Sequence, residues 1–221
     1  MPVRKIPKNY LMVTGVFSSA KNGKSLGYES LLERDLMIML EFDDTVKSFE
    51  EQPVKVPVIV NGKKVKPYVP DILITYFPAS SGEVPRPVLG EVKLNSYLQK
   101  HEAKYAPKFA AASHYCEEQG WKWRIFTENE IRTPYLDNLK FLREYHNAMP
   151  DQALIDQVIN YLHNMRDSVT VESLLHGLCK TENDQLYLVP TIWQLITAKR
   201  ITVDLQLPLT MKSKLSLSKE T

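Results

Sequence analysis

The sequence predicts an α/β fold, a mixed sheet flanked by helices, followed by a small C-terminal winged-helix domain. Three observations lead there. Short β-branched runs separated by turn residues fill residues 46–94, with an apolar helical period ahead of them and more helical periods behind. A second group of short helices, ending in a strand-like ribbon, follows residue 150. At 221 residues, with 43% hydrophobic and 24% charged side chains, the chain has room for one full-sized domain and a smaller one.

The elements run in order. Residues 1–28 read as a basic N-terminal arm: Arg4, Lys5, Lys8, Lys21 and Lys24 occur there with no acid. Such an arm suits phosphates, or is simply a solvated end. "GYESLLERDLMIMLEFD" predicts a helix over 28–41, with Leu32, Leu36, Met39 and Leu40 at helical spacing. Asn61-Gly62, between "VPVIV" and "KKVKPYV", marks a hairpin turn. "DILITYF" and "VLGEVKL" are strands joined by the loop "PASSGEVPRP". A helix follows, broken or kinked at Pro107 and closed by Gly120, then the strand "WKWRIFT" and a further helix.

Met149-Pro150-Asp151 is the expected boundary, so the main domain spans 29–149 and the winged helix-turn-helix-like domain 150–221. In the latter, Leu154, Val158 and Leu162 mark a helix capped by Asp151. "VTVESLLHGLC" is a second helix and "VPTIWQLITAKR" a third, with Pro190 in its first turn, before the strand-like "ITVDLQL". Its basic signature is thin, Lys199 and Arg200, and contact with DNA and docking of a protein partner stand equally open.

Several function classes find no support. The two cysteines, Cys116 and Cys179, form no CxxC, which fits a reducing compartment. No apolar run has membrane-spanning length and no signal-peptide pattern appears, so the cytoplasm is expected and no membrane partner. The five histidines make no HExxH pair, and there is no phosphate-binding loop or GxSxG. A net charge of +2 announces no partner.

The chemistry concentrates in "LGEVKL". On a strand, Glu91 and Lys93 stand side by side on one face, between apolar neighbours. Pro70-Asp71 opens the strand expected to pair with this one, which brings Asp71 across from the Glu91–Lys93 segment. The pattern PD…ExK is the signature of a large nuclease superfamily, with a restriction-endonuclease-like fold. Its chemistry explains the residue types. Two carboxylates on adjacent strands, with the Val92 backbone carbonyl between them, make a hard oxygen site suited to Mg²⁺ or Mn²⁺. A metal there acidifies water and stabilises the leaving oxygen of a phosphodiester, and the lysine ammonium orients the water or offsets charge. On the preceding helix, Glu33 lies at the border of the apolar face, where a carboxylate wants a cation: the site metal, or a base such as Arg34. The site is the preferred partner. Glu29 is read as a helix-dipole acid in the first turn.

Together "GYESLLERDLMIMLEFDDTVKSFEEQPV", "VPDILI", "GEVK" and "WKWRIFTENEI" resemble the TnsA endonucleases of heteromeric, Tn-seven-like transposons. The likeness runs from about Thr14 to Ile131, with a looser match to that family's winged-helix C-terminal domain after Pro150. It implies a metal-dependent DNA endonuclease that cleaves the non-transferred strand at the transposon's 5′ ends during cut-and-paste transposition. Implied partners are transposon-end DNA, a TnsB-like transposase that cuts and joins the other strand, and a TnsC-like AAA+ ATPase regulator. Carried over by motif, the catalytic residues are Glu33, Asp71, Glu91 and Lys93. Some members of the family have Gln where this chain has Glu91, which keeps the fuller acidic site. The competing readings are a stand-alone restriction- or repair-type nuclease, and a non-catalytic module bridging transposase and regulator.

Overall fold

The computed structural model describes residues 13–165 and 168–218. Arg4, Lys5 and Lys8 of the expected arm lie outside the described residues, as does Lys219. Two compact units divide between Arg132 and Thr133. No helix among the described residues is long and apolar enough to cross a membrane.

The first unit opens with an antiparallel hairpin, β1 (Gly15–Ser19) and β2 (Lys24–Tyr28). Phe17 faces Leu26 across it and both are buried. From Gly15 to Tyr28 the expected arm is thus a folded hairpin, because its alternating apolar positions give it a face to bury. Helix α1 (Leu31–Phe42) follows. It starts later than 28 because Ser30 caps it, accepting the Glu33 amide at 3.1 Å. Glu29 therefore stands ahead of the cap, and the first-turn acid is Glu33. Lys21, in the turn of the hairpin, donates to the carbonyls of Asp43 and Val46 just past the helix end.

Strand β3 (Val46–Glu51) leads to the small hairpin β4 (Ile59–Val60) and β5 (Lys63–Lys64). Asn61 and Gly62 both take positive φ there, 51° and 73°, the geometry a two-residue primed turn requires. Next come β6 (Ile72–Tyr76), β7 (Val88–Val92), α2 (Asn95–Lys100), α3 (Glu102–Gln119), β8 (Lys122–Phe126) and α4 (Glu128–Ile131). The main sheet has the order β3-β6-β7-β8. It is mixed: β3 with β6 and β6 with β7 are antiparallel, whereas β7 and β8, joined through α2 and α3, run parallel. The expected single helix after β7 is interrupted at His101 instead of Pro107, which sits inside α3. Gly120 closes α3 in the left-handed conformation.

β7 is the interior strand that matters most, since all five of its residues are buried. Gly90 is forced by packing: a Cβ there would lie 2.6 Å from the Phe126 ring and 3.1 Å from Ile72. On the face of Leu89, a core of Val56, Val58, Tyr68, Ala112 and Cys116 ties the sheet to α3.

The second unit contains α5 (Pro134–Arg143), α6 (Gln152–Asn164), β9 (Val169–Thr170), α7 (Val171–Leu178), α8 (Glu182–Thr197), β10 (Ile201–Thr202) and β11 (Lys214–Leu217). Its strands form an antiparallel sheet in the order β10-β11-β9. Asp151 caps α6 through the Ala153 amide at 2.9 Å. Helix α8 begins earlier than Pro190, at a Thr181–Asp184 capping box, which leaves the proline inside the helix. Helix α5, placed before the expected boundary at Pro150, packs within this unit. Phe141 meets Trp193 edge-on at 5.2 Å, and Asn138 donates to the Leu205 and Leu207 carbonyls at 2.8 Å each.

Candidate active site

Strand register builds the site. Ile72 pairs with Gly90, so Asp71, one residue earlier, stands across from Glu91, and the Asp71 amide donates to the Gly90 carbonyl at 3.0 Å. The Asp71 carboxylate turns toward the end of β7. Its Oδ2 accepts the Val92 amide at 2.8 Å and the Lys93 ammonium at 2.9 Å. The same ammonium lies 3.1 Å from Glu91 Oε1 and 3.1 Å from the Val92 carbonyl oxygen. Asp71, Glu91, Val92 and Lys93 therefore converge on one point, and Glu91 and Lys93 do share a face.

Glu33 is near but not bonded to this group. Its carboxylate accepts the Ser30 hydroxyl at 2.9 Å and the Glu29 amide at 2.7 Å, a variant of the capping box in which the residue before the cap is the donor. Arg34 does not neutralise it: that guanidinium pairs with Asp35 at 3.0 Å. Burial, then the Asp71 charge, push the Glu33 carboxyl up to about 7, against the helix-start hydrogen bonds and Lys93. Glu33 thus feels both Asp71 and Lys93 electrostatically while serving the helix start.

Glu91 is only 3% exposed. Burial and the Asp71 charge push its carboxyl up to about 8, opposed by Lys93 and by the Tyr68 hydroxyl. Burial alone would lower the Lys93 ammonium. Asp71 and Glu91 overcome that and raise it, so the lysine stays a cation. Sequence reasoning missed Tyr68, which belongs to no motif. Its hydroxyl donates to Glu91 Oε2 at 2.5 Å, and its backbone bridges Val56 in both directions. The phenol is held high by burial and by Glu91. The Ser30-x-x-Glu33 spacing, in contrast, was a readable capping signal.

Three carboxyl groups face one ammonium, an excess of acid groups over base in a buried setting. Hard oxygen donors and that excess both suit a divalent cation. Among the described residues no three carboxylate, imidazole or thiolate side chains are grouped to enclose an ion, and the Lys93 ammonium stands between Asp71 and Glu91. The residues fit such an ion by donor type and by charge.

Two family models match the chain. The one described as TnsA-like endonuclease N terminal covers residues 43–128, and the one described as TnsA endonuclease C terminal covers residues 130–205. The first takes in Asp71, Glu91, Val92 and Lys93 and begins after Glu33. No protein of curated function matches the chain.

Proposed function

Because this chain belongs to the TnsA-like endonuclease family, as the nuclease subunit of a Tn-seven-like transposase, we propose that it cleaves the non-transferred strand at the transposon's 5′ ends. The observation that carries this reading is the single ammonium of Lys93, within 3.1 Å of both the Asp71 and the Glu91 carboxylates at the end of an interior strand.

Asp71, Glu91, Glu33 and the Val92 carbonyl are the groups that would hold Mg²⁺ or Mn²⁺. Such an ion supplies Lewis acidity toward the phosphodiester and lowers the pKa of water. The protein's own part is electrostatic and positional. Lys93 remains charged, so it offsets negative charge developing on the phosphate and orients the attacking water instead of taking its proton. Asp71, fixed by the Val92 amide, sets where Lys93 points. Tyr68 fixes the rotamer of Glu91 from the opposite oxygen. Glu33 ties the position of the α1 start to the charge state of the site.

Beyond α5, the second unit carries three helices, α6 to α8, with a three-stranded ribbon, the content of a winged helix, and we assign it to docking or DNA contact. The partners under this reading are transposon-end DNA, a TnsB-like transposase and a TnsC-like ATPase, in the cytoplasm. The test is cleavage of strand-specifically labelled transposon-end duplex, with and without the transposase. The reading requires Mg²⁺-dependent nicking at the 5′ end that needs the partner. Full cleavage by the chain alone supports a stand-alone nuclease, and cointegrate formation with unbroken 5′ ends supports a bridging module.

A further inference from the structure

Helices α2 and α3 leave the site carrying a row of lysines. Lys100 and Lys104 are exposed and Lys108 is half-buried; Lys66, exposed on the segment after β5, lies close enough to act on Lys108. None of these four ammoniums pairs with a carboxylate among the described residues. The stretch 95–116 contains one acid, Glu102. It precedes Lys104 by two positions, roughly 200° around a helix, so it does not interrupt the row. The acids of α3 gather at its far end, Glu117 and Glu118.

The row is built onto aromatic rings that connect it to the site. The Lys108 ammonium lies 5.2 Å from the Tyr105 ring and 5.8 Å from the ring of Tyr68, whose hydroxyl holds Glu91. Lys104 lies 5.9 Å from Tyr105, and Tyr97 packs edge-on against Tyr105 at 6.2 Å. Such contacts hold flexible lysine stems in place. Desolvation, then the neighbouring Lys104, lower the Lys108 ammonium against an opposing pull from Glu91, with Lys66 and Lys93 adding to the crowding of positive charge. Lys104 and Lys108 are spaced by about 6 Å of helix rise, close to the axial rise of two nucleotides on one strand.

We propose that Lys66, Lys100, Lys104 and Lys108 form a track that grips the phosphates of one DNA strand and leads it to the Asp71–Glu91–Lys93 site. This rests on the nuclease reading above. A row of unpaired lysines gives non-specific, salt-dependent grip, which leaves end recognition to a partner.

The test is binding of a labelled duplex by the full chain in EDTA, measured across a salt series. The double variant Lys104→Ala, Lys108→Ala is compared with a control pair on exposed lysines, Lys47→Ala, Lys122→Ala, with circular dichroism to check folding. The track requires roughly a tenfold loss of affinity at about 0.1 M salt and a salt slope lower by about two in the first pair only. Equal losses in both pairs, or no loss in the first, overturn the track while leaving the nuclease reading standing. A parent chain without affinity for the duplex even at low salt also overturns the track, whereas the nuclease reading stands or falls on strand cleavage in the presence of the transposase.

Discussion

The two units bury polarity in opposite ways. The first buries four carboxylate residues, Glu33, Asp35, Glu51 and Glu91; the second buries none among the described residues, and its buried polar side chains are Asn138 and Thr191. Burying charge costs far more than burying a neutral amide. Asn138 illustrates the inexpensive solution. Its amide donates twice and accepts the Leu209 amide at 3.0 Å, so α5 and the 205–209 loop are joined with no net charge. Asp35 is the conventional charged case, paired with Arg34 and, at 3.5 Å, with Arg132. Asp71 and Glu91 differ from both, because they share one cation and stay in excess. Under the proposed function that excess serves the chemistry, which would then lie in the first unit.

The comparison breaks most visibly at the shared cation. Asp71→Ala or Lys93→Ala is expected to lower cleavage of transposon-end DNA by at least about a hundredfold while leaving the circular dichroism spectrum unchanged. A normal rate in either variant removes these residues from the chemistry.

A pH series sharpens the contrast. Glu33 and Glu91 have folded-state pKa values raised to about 7 and about 8. The folded protein therefore holds protons that the unfolded chain releases nearer pH 4.5. Without metal, stability should fall as pH rises from about 5 toward 8, by several degrees in Tm, and Glu91→Gln should flatten the fall. Added Mg²⁺ should raise Tm more at pH 8 than at pH 5. A flat metal-free profile in the wild-type chain would remove the buried excess of charge.

On the other side of the comparison, Asn138→Ala should cost about 2 kcal/mol of stability by leaving backbone groups unpaired. Nicking by the folded fraction should keep its metal dependence. Smallest is Tyr68→Phe, which removes only the hydroxyl bonded to Glu91. Activity should drop about tenfold, and the pH–rate profile should move upward because a group that lowers the Glu91 pKa is gone. Loss of stability with an unmoved profile would make Tyr68 a core residue only.

Much of this geometry was legible locally. Asn61-Gly62 specified its turn by φ alone, Asp151 its cap by one hydrogen bond, and the pairing of "DILITYF" with "VLGEVKL" followed from period and loop. The convergence of Asp71 with Glu91 and Lys93 came with that pairing. What escaped had nonlocal causes or a competing signal. Tyr68 reaches Glu91 only because its backbone bridges Val56, a contact that no local pattern encodes. Helix α5 belongs with the second unit through Trp193 and the 205–209 loop, so Pro150 looked like a boundary when the division lay earlier. Pro107, expected to break or kink its helix, and Pro190, expected in a first turn, both lie inside helices whose starts are set at His101 and by the Thr181 cap. In the arm, basic content masked the alternation that folds residues 15–28.

Under the nuclease reading, the excess of carboxylate around Lys93 holds a divalent ion. Mn²⁺ binding to the full chain at pH 8, followed by electron paramagnetic resonance, addresses it directly. Saturable binding is expected in the wild-type chain, and Asp71→Ala should abolish it. Failure to bind Mn²⁺, or binding that survives Asp71→Ala undiminished, would contradict that reading.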